Sequence, residues 1–180
     1  MSVLILPGYQ GSGASHWQSR WEALYPGLVR VEQQSWEQPA VAEWVATLDA
    51  AVAAAAAPVY LVAHSLGCLL VAHWAARHDA GKVAAALMVA PPNPWRTGFP
   101  AAAASFASLE LAQLPFASLL VASRNDPYAA FDFSETLAAA WGAQLVDAGE
   151  AGHINAESKL GDWPQGWVLF EQLQTQSVTE

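Results

Sequence analysis

Basic residues are scarce in this chain. Seven Lys and Arg stand against sixteen Asp and Glu, a net charge of −9, which argues against nucleic acid or an anionic membrane as partner. Charged residues of both signs make up only 13% while hydrophobic ones make up 54%, the reverse of a disordered composition. Cysteine is nearly absent. Cys68 alone excludes an internal disulfide, and its place in an apolar stretch predicts a buried thiol. No apolar run is long enough to span a bilayer. Met1 leads into Val3-Leu4-Ile5-Leu6 with no basic segment between, so neither a signal peptide nor a membrane partner is expected, and the expected location is the cytoplasm. Internal repeats are missing too. What is there, 180 residues rich in apolar side chains, predicts a single densely packed domain over residues 1–180.

Strand and helix signals alternate along the chain, the pattern of an α/β parallel sheet covered on both faces. Strands are expected at Val3–Leu6, Leu28–Glu32, Val59–Ala63, Val83–Val89, Ser118–Ser123 and Gln144–Val146. Trp17, Trp21, Leu24 and Tyr25 share one helical face, as do Val41, Trp44, Val45, Leu48 and Val52. Helix propensity accounts for the alanine run that follows. Ser134 is placed to cap a helix carrying Leu137 and Trp141, with Gly142 as its left-handed stop. Pro164 opens a last helix with Trp167, Phe170 and Leu173. The segment at about 91–115 breaks this economy, with five prolines and the aromatics Trp95, Phe99 and Phe106. A connection this long is expected to serve function. Its aromatics argue for order, as a small cap beside the site.

Ala63-His64-Ser65-Leu66-Gly67 joins the strand at Val59 to the helix that runs from Leu66 to about Arg77. Small residues two positions either side of a serine at a strand-to-helix turn form the nucleophile-elbow pattern. The turn is sharp, neighbouring elements press on positions 63 and 67, and the hydroxyl emerges at a helix amino terminus that favours negative charge. A serine nucleophile needs a base, and the base an orienting acid, here in the order Ser, acid, His. Asp126 follows the fifth strand in Asn125-Asp126-Pro127-Tyr128. His153 follows the sixth in Gly152-His153-Ile154-Asn155. Both therefore fall at the carboxyl edge where ligands bind in open α/β sheets. Asp147 and Glu150 are rival acids, but they share the His153 loop, and an acid from a separate strand end is preferred. His64 should point away from the nucleophile. His73 and His78, five apart on a helix, are poorly spaced to share a metal, and no metal or cofactor is expected. His16 opens the first helix as a cap, a core contact or part of the pocket wall.

A developing oxyanion needs two donors. The Leu66 N–H, directly after the serine, is one. The other is expected from Pro7-Gly8-Tyr9-Gln10-Gly11-Ser12-Gly13, with Tyr9 N–H preferred and Gln10 N–H second. This loop lacks the Gly-Lys-Ser/Thr ending of a phosphate-binding P-loop. The expected pocket wall is Gln10, His16, Trp95, Phe99 and Phe106.

With these motifs in place, the chain resembles the small serine hydrolases related to retinoblastoma-binding protein 9, a compact branch of the α/β-hydrolase superfamily. The resemblance spans nearly the whole chain. It rests on Leu6-Pro-Gly with His16-Trp17, on the Ser65 elbow and Asn125-Asp-Pro-Tyr, and on Trp141-Gly-Ala, Gly152-His-Ile-Asn and Trp163-Pro-x-Gly166. It implies a three-layer α/β/α sandwich with strand order 2-1-3-4-5-6, and it carries nucleophile, acid and base to Ser65, Asp126 and His153. Ala63 departs from the glycine of larger relatives. The namesake's protein partner is not carried over, because its Leu-x-Cys-x-Glu ligand is absent and Cys68 lies in Gly67-Cys68-Leu69. The expected function is a metal-independent serine hydrolase that cleaves a small ester or amide through an acyl-enzyme, with a preference for short acyl groups. A peptidase or amidase with the same triad, and a binding protein that keeps the fold without turnover, are the alternatives. Nothing in the sequence sets an oligomeric state.

Overall fold

The structure, a computed structural model, describes residues 1–177. Six apolar runs pair as parallel strands: β1 (Ser2–Leu6), β2 (Leu28–Arg30), β3 (Val59–His64), β4 (Val83–Val89), β5 (Ala117–Ala122) and β6 (Gln144–Asp147). Their order in the one sheet is β2-β1-β3-β4-β5-β6. β3 is buried along its whole length, as expected for a central strand with helices on both faces. Alternation then assigns side chains to faces. Val3, Ile5, Tyr60 and Val62 pack with α1 (Trp17–Leu24) and α5 (Pro164–Ser177). Leu4, Leu6, Leu61 and Ala63 pack with α2 (Val41–Ala54), α3 (Leu66–Ala75) and α4 (Phe131–Trp141). No helix among the described residues is long and apolar enough to cross a membrane.

Several local expectations hold, and two do not. Cys68 is fully buried in α3, with burial pushing its thiol pKa far up. Gly142 ends α4 at φ 68°. Leu24, however, is 51% exposed; α1 ends there and Tyr25 turns extended, so Trp17 and Trp21 carry the buried face. Ser134 is not the cap of α4. The helix begins at Phe131 after Ala130, and Ser134 lies inside it, its N–H donating to the Ala130 carbonyl at 3.3 Å.

The proline-rich segment after β4 forms a 3-10 helix at Ala101–Ser108 and is woven into the helical layer. α2 has no capping side chain of its own; instead the Val41 N–H donates to Ser105 Oγ at 3.1 Å. Phe106 is fully buried between the rings of Trp44 and His73, with centroids at 5.5 and 5.7 Å.

Candidate active site

β1 and β3 are neighbours whose chains depart to opposite sides of the sheet, which opens a crevice at their carboxyl ends. Gln18, fully buried, spans that point. Its Nε2 donates to the carbonyls of Leu6 and Val62 at 3.2 and 3.1 Å, and its Oε1 accepts from Ser12 Oγ at 2.6 Å.

Ser65 sits at the crevice with φ 53° and ψ −122°, a conformation costly for a residue with a side chain and held only by its surroundings. Those surroundings are tight. A Cβ on Gly67 would lie 2.3 Å from the Leu6 carbonyl oxygen, and one on Gly8 would lie 2.8 Å from Ser65 Cβ. Ala63, fully buried in β3, takes the place of the usual glycine without disturbing the strand pairing. The Ser65 N–H donates to the Val89 carbonyl at 2.9 Å, fixing the turn to β4.

The three residues expected to act together do converge. Ser65 Oγ–H donates to His153 Nε2 at 2.8 Å. His153 Nδ1–H donates to the Asp126 carboxylate, at 2.9 Å to Oδ2 and 3.0 Å to Oδ1. The carboxylate on the Nδ1 side selects the tautomer that leaves Nε2 free to accept. The side chains of His153 and Asp126 are 8% and 3% exposed, so the pair lies in a poorly solvated setting where the hydrogen bonds strengthen. Neither rival acid takes the place of Asp126 on His153 Nδ1. Asp147 accepts from the Gly149 N–H and pairs with Arg124, contacts that hold its carboxyl below the usual range. Glu150 is exposed.

The Asp126 and His153 loops are laced together. Asn125 Oδ1 accepts from the Gly152 N–H at 2.7 Å and from Ser123 Oγ at 2.9 Å, while Ser123 Oγ accepts from the Ala151 N–H at 2.9 Å. On the far side, Trp17 Nε1 donates to the Ile154 carbonyl at 2.8 Å. His64 does not merely turn away from the serine. Its Nε2–H donates to the His153 carbonyl at 2.9 Å, and burial holds its pKa well below the ordinary value. Asn125, Trp17 and His64 thus hold the His153 loop in place. The sequence placed them in motifs without revealing these bonds.

The glycine loop after β1 is a tight turn in which the Gly11 N–H donates to the Gly8 carbonyl at 3.0 Å, with Gln10 at φ 65°. The Gln10 N–H donates to the Trp36 carbonyl at 2.9 Å, which takes it out of reach of any substrate. That leaves Tyr9, whose N–H is not used by the turn, beside the first N–H of α3 at Leu66. An N–H in the first turn of a helix has no partner within the helix.

A cavity of about 450 Å³ opens over Ser65, lined by Tyr9, Gln10, His16, Leu66, Phe99 and His153 among others. Three of the five expected wall residues, Gln10, His16 and Phe99, line it. Phe106 does not, because its ring fills the core between α2 and α3. Trp95 does not either. It is 50% exposed, and its Nε1 donates to the Ala107 carbonyl at 2.9 Å. His16 is both cap and wall: its Nδ1 accepts from the Gln18 N–H at 3.1 Å, and burial lowers its pKa to about 3. Arg96 and Tyr128 also line the cavity; the sequence offered Tyr128 only as part of the Asn125-Asp-Pro-Tyr motif, and Arg96 not at all. No group of three or more His, Cys, Asp or Glu able to hold a metal ion occurs among the described residues.

An elbow serine, a histidine and a carboxylate at the edge of this sheet define the α/β-hydrolase fold class. The sequence model of the serine hydrolase family matches residues 3–172, and the chain belongs to that family. A YdeN-like hydrolase from Pectobacterium atrosepticum is 32% identical, with 98% of this chain and 91% of that one covered at a TM-score of 0.87. The ydeN gene product of B. subtilis is 21% identical over 97% of this chain and 98% of its own, with a TM-score of 0.78. Est1E from Butyrivibrio proteoclasticus, a structure with ferulic acid bound, shares the fold at 14% identity and a TM-score of 0.68, over 96% of this chain and 89% of that one. Comparison with curated proteins gives no match.

Proposed function

We propose that this serine hydrolase cleaves a small carboxylic ester through an acyl-enzyme on Ser65. The observation that carries the reading is the unbroken relay from Ser65 Oγ through His153 to Asp126, at 2.8 and 2.9 Å. Ser65 Oγ attacks the carbonyl carbon as its proton passes to His153 Nε2, and Asp126 stabilises the imidazolium. The oxyanion accepts from the N–H groups of Leu66 and Tyr9, donors fixed before the charge develops. As the tetrahedral intermediate collapses, the C–O bond to the leaving group breaks and His153 returns the proton to the departing oxygen. Water then enters by the same route in reverse and releases the acid.

A cavity of about 450 Å³, near the lower end for small-molecule sites, favours short acyl groups. Amide cleavage would use the same relay but would need a site for the amine, so the ester is the leading substrate class. The Gly152-His-Ile-Asn and Trp163-Pro-x-Gly motifs support a place near the retinoblastoma-binding protein 9 branch of the family. The lone cysteine is a buried free thiol, and the cytoplasm is the proposed location. Stopped-flow hydrolysis of p-nitrophenyl acetate tests the mechanism. A burst matching one acyl group per active site is expected, and it should vanish in Ser65→Ala. A burst that survives in that variant would overturn the assignment.

A further inference from the structure

The chain has five arginines, and four are paired with carboxylates: Arg20 with Asp162, Arg30 with Glu22, Arg77 with Glu110 and Arg124 with Asp147. In a chain with more than two acids for every base, pairing is the default. Arg96 is the exception. No carboxylate pairs with it among the described residues, and it is the arginine that lines the Ser65 cavity. Its Nη1 reaches the Thr97 carbonyl at 3.2 Å, and its Nε is buried with no partner. The guanidinium is not loose. It lies over the Tyr128 ring at 4.9 Å from the centroid, and that ring packs edge-on against His153 with centroids 4.6 Å apart. The Tyr128 N–H in turn donates to Asp126 Oδ1 at 2.9 Å. The charge is therefore held one aromatic ring from the base, on a residue tied to the acid.

We propose that Arg96 is a specificity-determining residue that binds a free carboxylate of the substrate, so that the site takes esters carrying a second, ionised acid group. An arginine fork matches a carboxylate with two parallel hydrogen bonds. A substrate carboxylate would supply the partner that the protein withholds, and a guanidinium already stacked on an aromatic ring loses little freedom on binding it. The cavity also holds one exposed carboxylate, Glu157, which opposes an anionic substrate and gives the proposal a second handle of opposite sign. The inference rests on the hydrolase reading above but concerns substrate class alone.

The test compares matched esters that differ only in charge. On the acyl side, p-nitrophenyl half-esters of succinic, glutaric and adipic acids are set against their methyl-capped counterparts, with uncatalysed breakdown subtracted. On the leaving-group side, 4-acetoxybenzoate is set against its methyl ester. For the better-placed side, kcat/KM for the charged ester should exceed that for the capped one by about tenfold or more, the scale of a charge-assisted hydrogen bond. Added salt should erode the advantage. In Arg96→Gln the charged-to-capped ratio should fall toward one, a readout from which any general loss of activity cancels. In Glu157→Gln the ratio should rise. A wild-type ratio near or below one on both sides, with Ser65 still reactive to a fluorophosphonate, overturns this proposal and leaves the hydrolase reading standing. A preserved ratio in Arg96→Gln overturns it equally. If Arg96→Gln does not fold, the wild-type ratio and the Glu157→Gln shift decide. Failure of every ester together with an unlabelled Ser65 removes the hydrolase reading, and this inference with it.

Discussion

Acid should unfold this protein sooner than its carboxylates alone would dictate, because two histidines are buried neutral beside the site. His16 and His64 are 4% exposed each, with ring centroids 4.6 Å apart. Burial is the main cause that lowers both pKa values, that of His16 to about 3 and that of His64 well below normal. Unfolding exposes both, and each then titrates near the ordinary value of about 6.5. A folded pKa below the unfolded one means stability that is present above about 6.5 and lost as pH falls toward the folded value. Between pH 7 and pH 5 a histidine with the folded pKa of His16, about 3, removes about 2 kcal/mol by this linkage. For His16 alone the Tm of a domain of this size should drop by roughly 4–8 °C, and His64 and His73, whose pKa values burial also lowers, add to the loss. Most carboxylates titrate lower than this window, so calorimetry at pH 7 and pH 5 isolates the histidines. His64→Gln keeps an N–H able to reach the His153 carbonyl but cannot titrate. It should narrow the gap between the two Tm values, whatever it does to either alone. Equal Tm values for the wild type at both pH values, or an unchanged gap in the variant, would refute the reasoning.

Asp126→Asn should lower the acylation rate by about four orders of magnitude, because an amide cannot hold the histidine in the accepting tautomer. Asp147→Asn and Glu150→Gln should cost far less in the same pre-steady-state assay. The two phenylalanines of the proline-rich segment should separate cleanly. Phe106→Ala should destabilise the fold by about 3–5 kcal/mol in denaturant titration, whereas Phe99→Ala should shift the acyl chain-length optimum toward longer esters at little cost in stability.

Where hydrophobic spacing repeats, the chain was readable in advance. The apolar runs of β1 and β3 and the Ser65 elbow locate the sheet and its carboxyl edge, and the strand order that the family resemblance implies then brings Asp126 and His153 to the same crevice. Two of the misses share a cause. Phe106 and Trp95 lie in a proline-rich connection, where no period assigns side chains to a face. The 3-10 helix turns Phe106 inward, while Trp95, ahead of that helix, lies half exposed. Ser134 resembled a cap because serine caps well in general, yet α4 starts a turn earlier at Phe131. Arg96 carried no signal of its own. Its lack of a partner becomes visible only when the other arginines are seen paired in space.

The central claim is that Ser65 carries the reacting oxygen, and it can be read by mass. Incubating the protein with a fluorophosphonate should displace fluoride and add one phosphonyl group, and fragmentation of the tryptic peptide should place it on Ser65. Asp126→Asn should slow the labelling, and Ser65→Ala should abolish it. An adduct on any other serine, or full-rate labelling of the Ser65→Ala variant, would contradict the account.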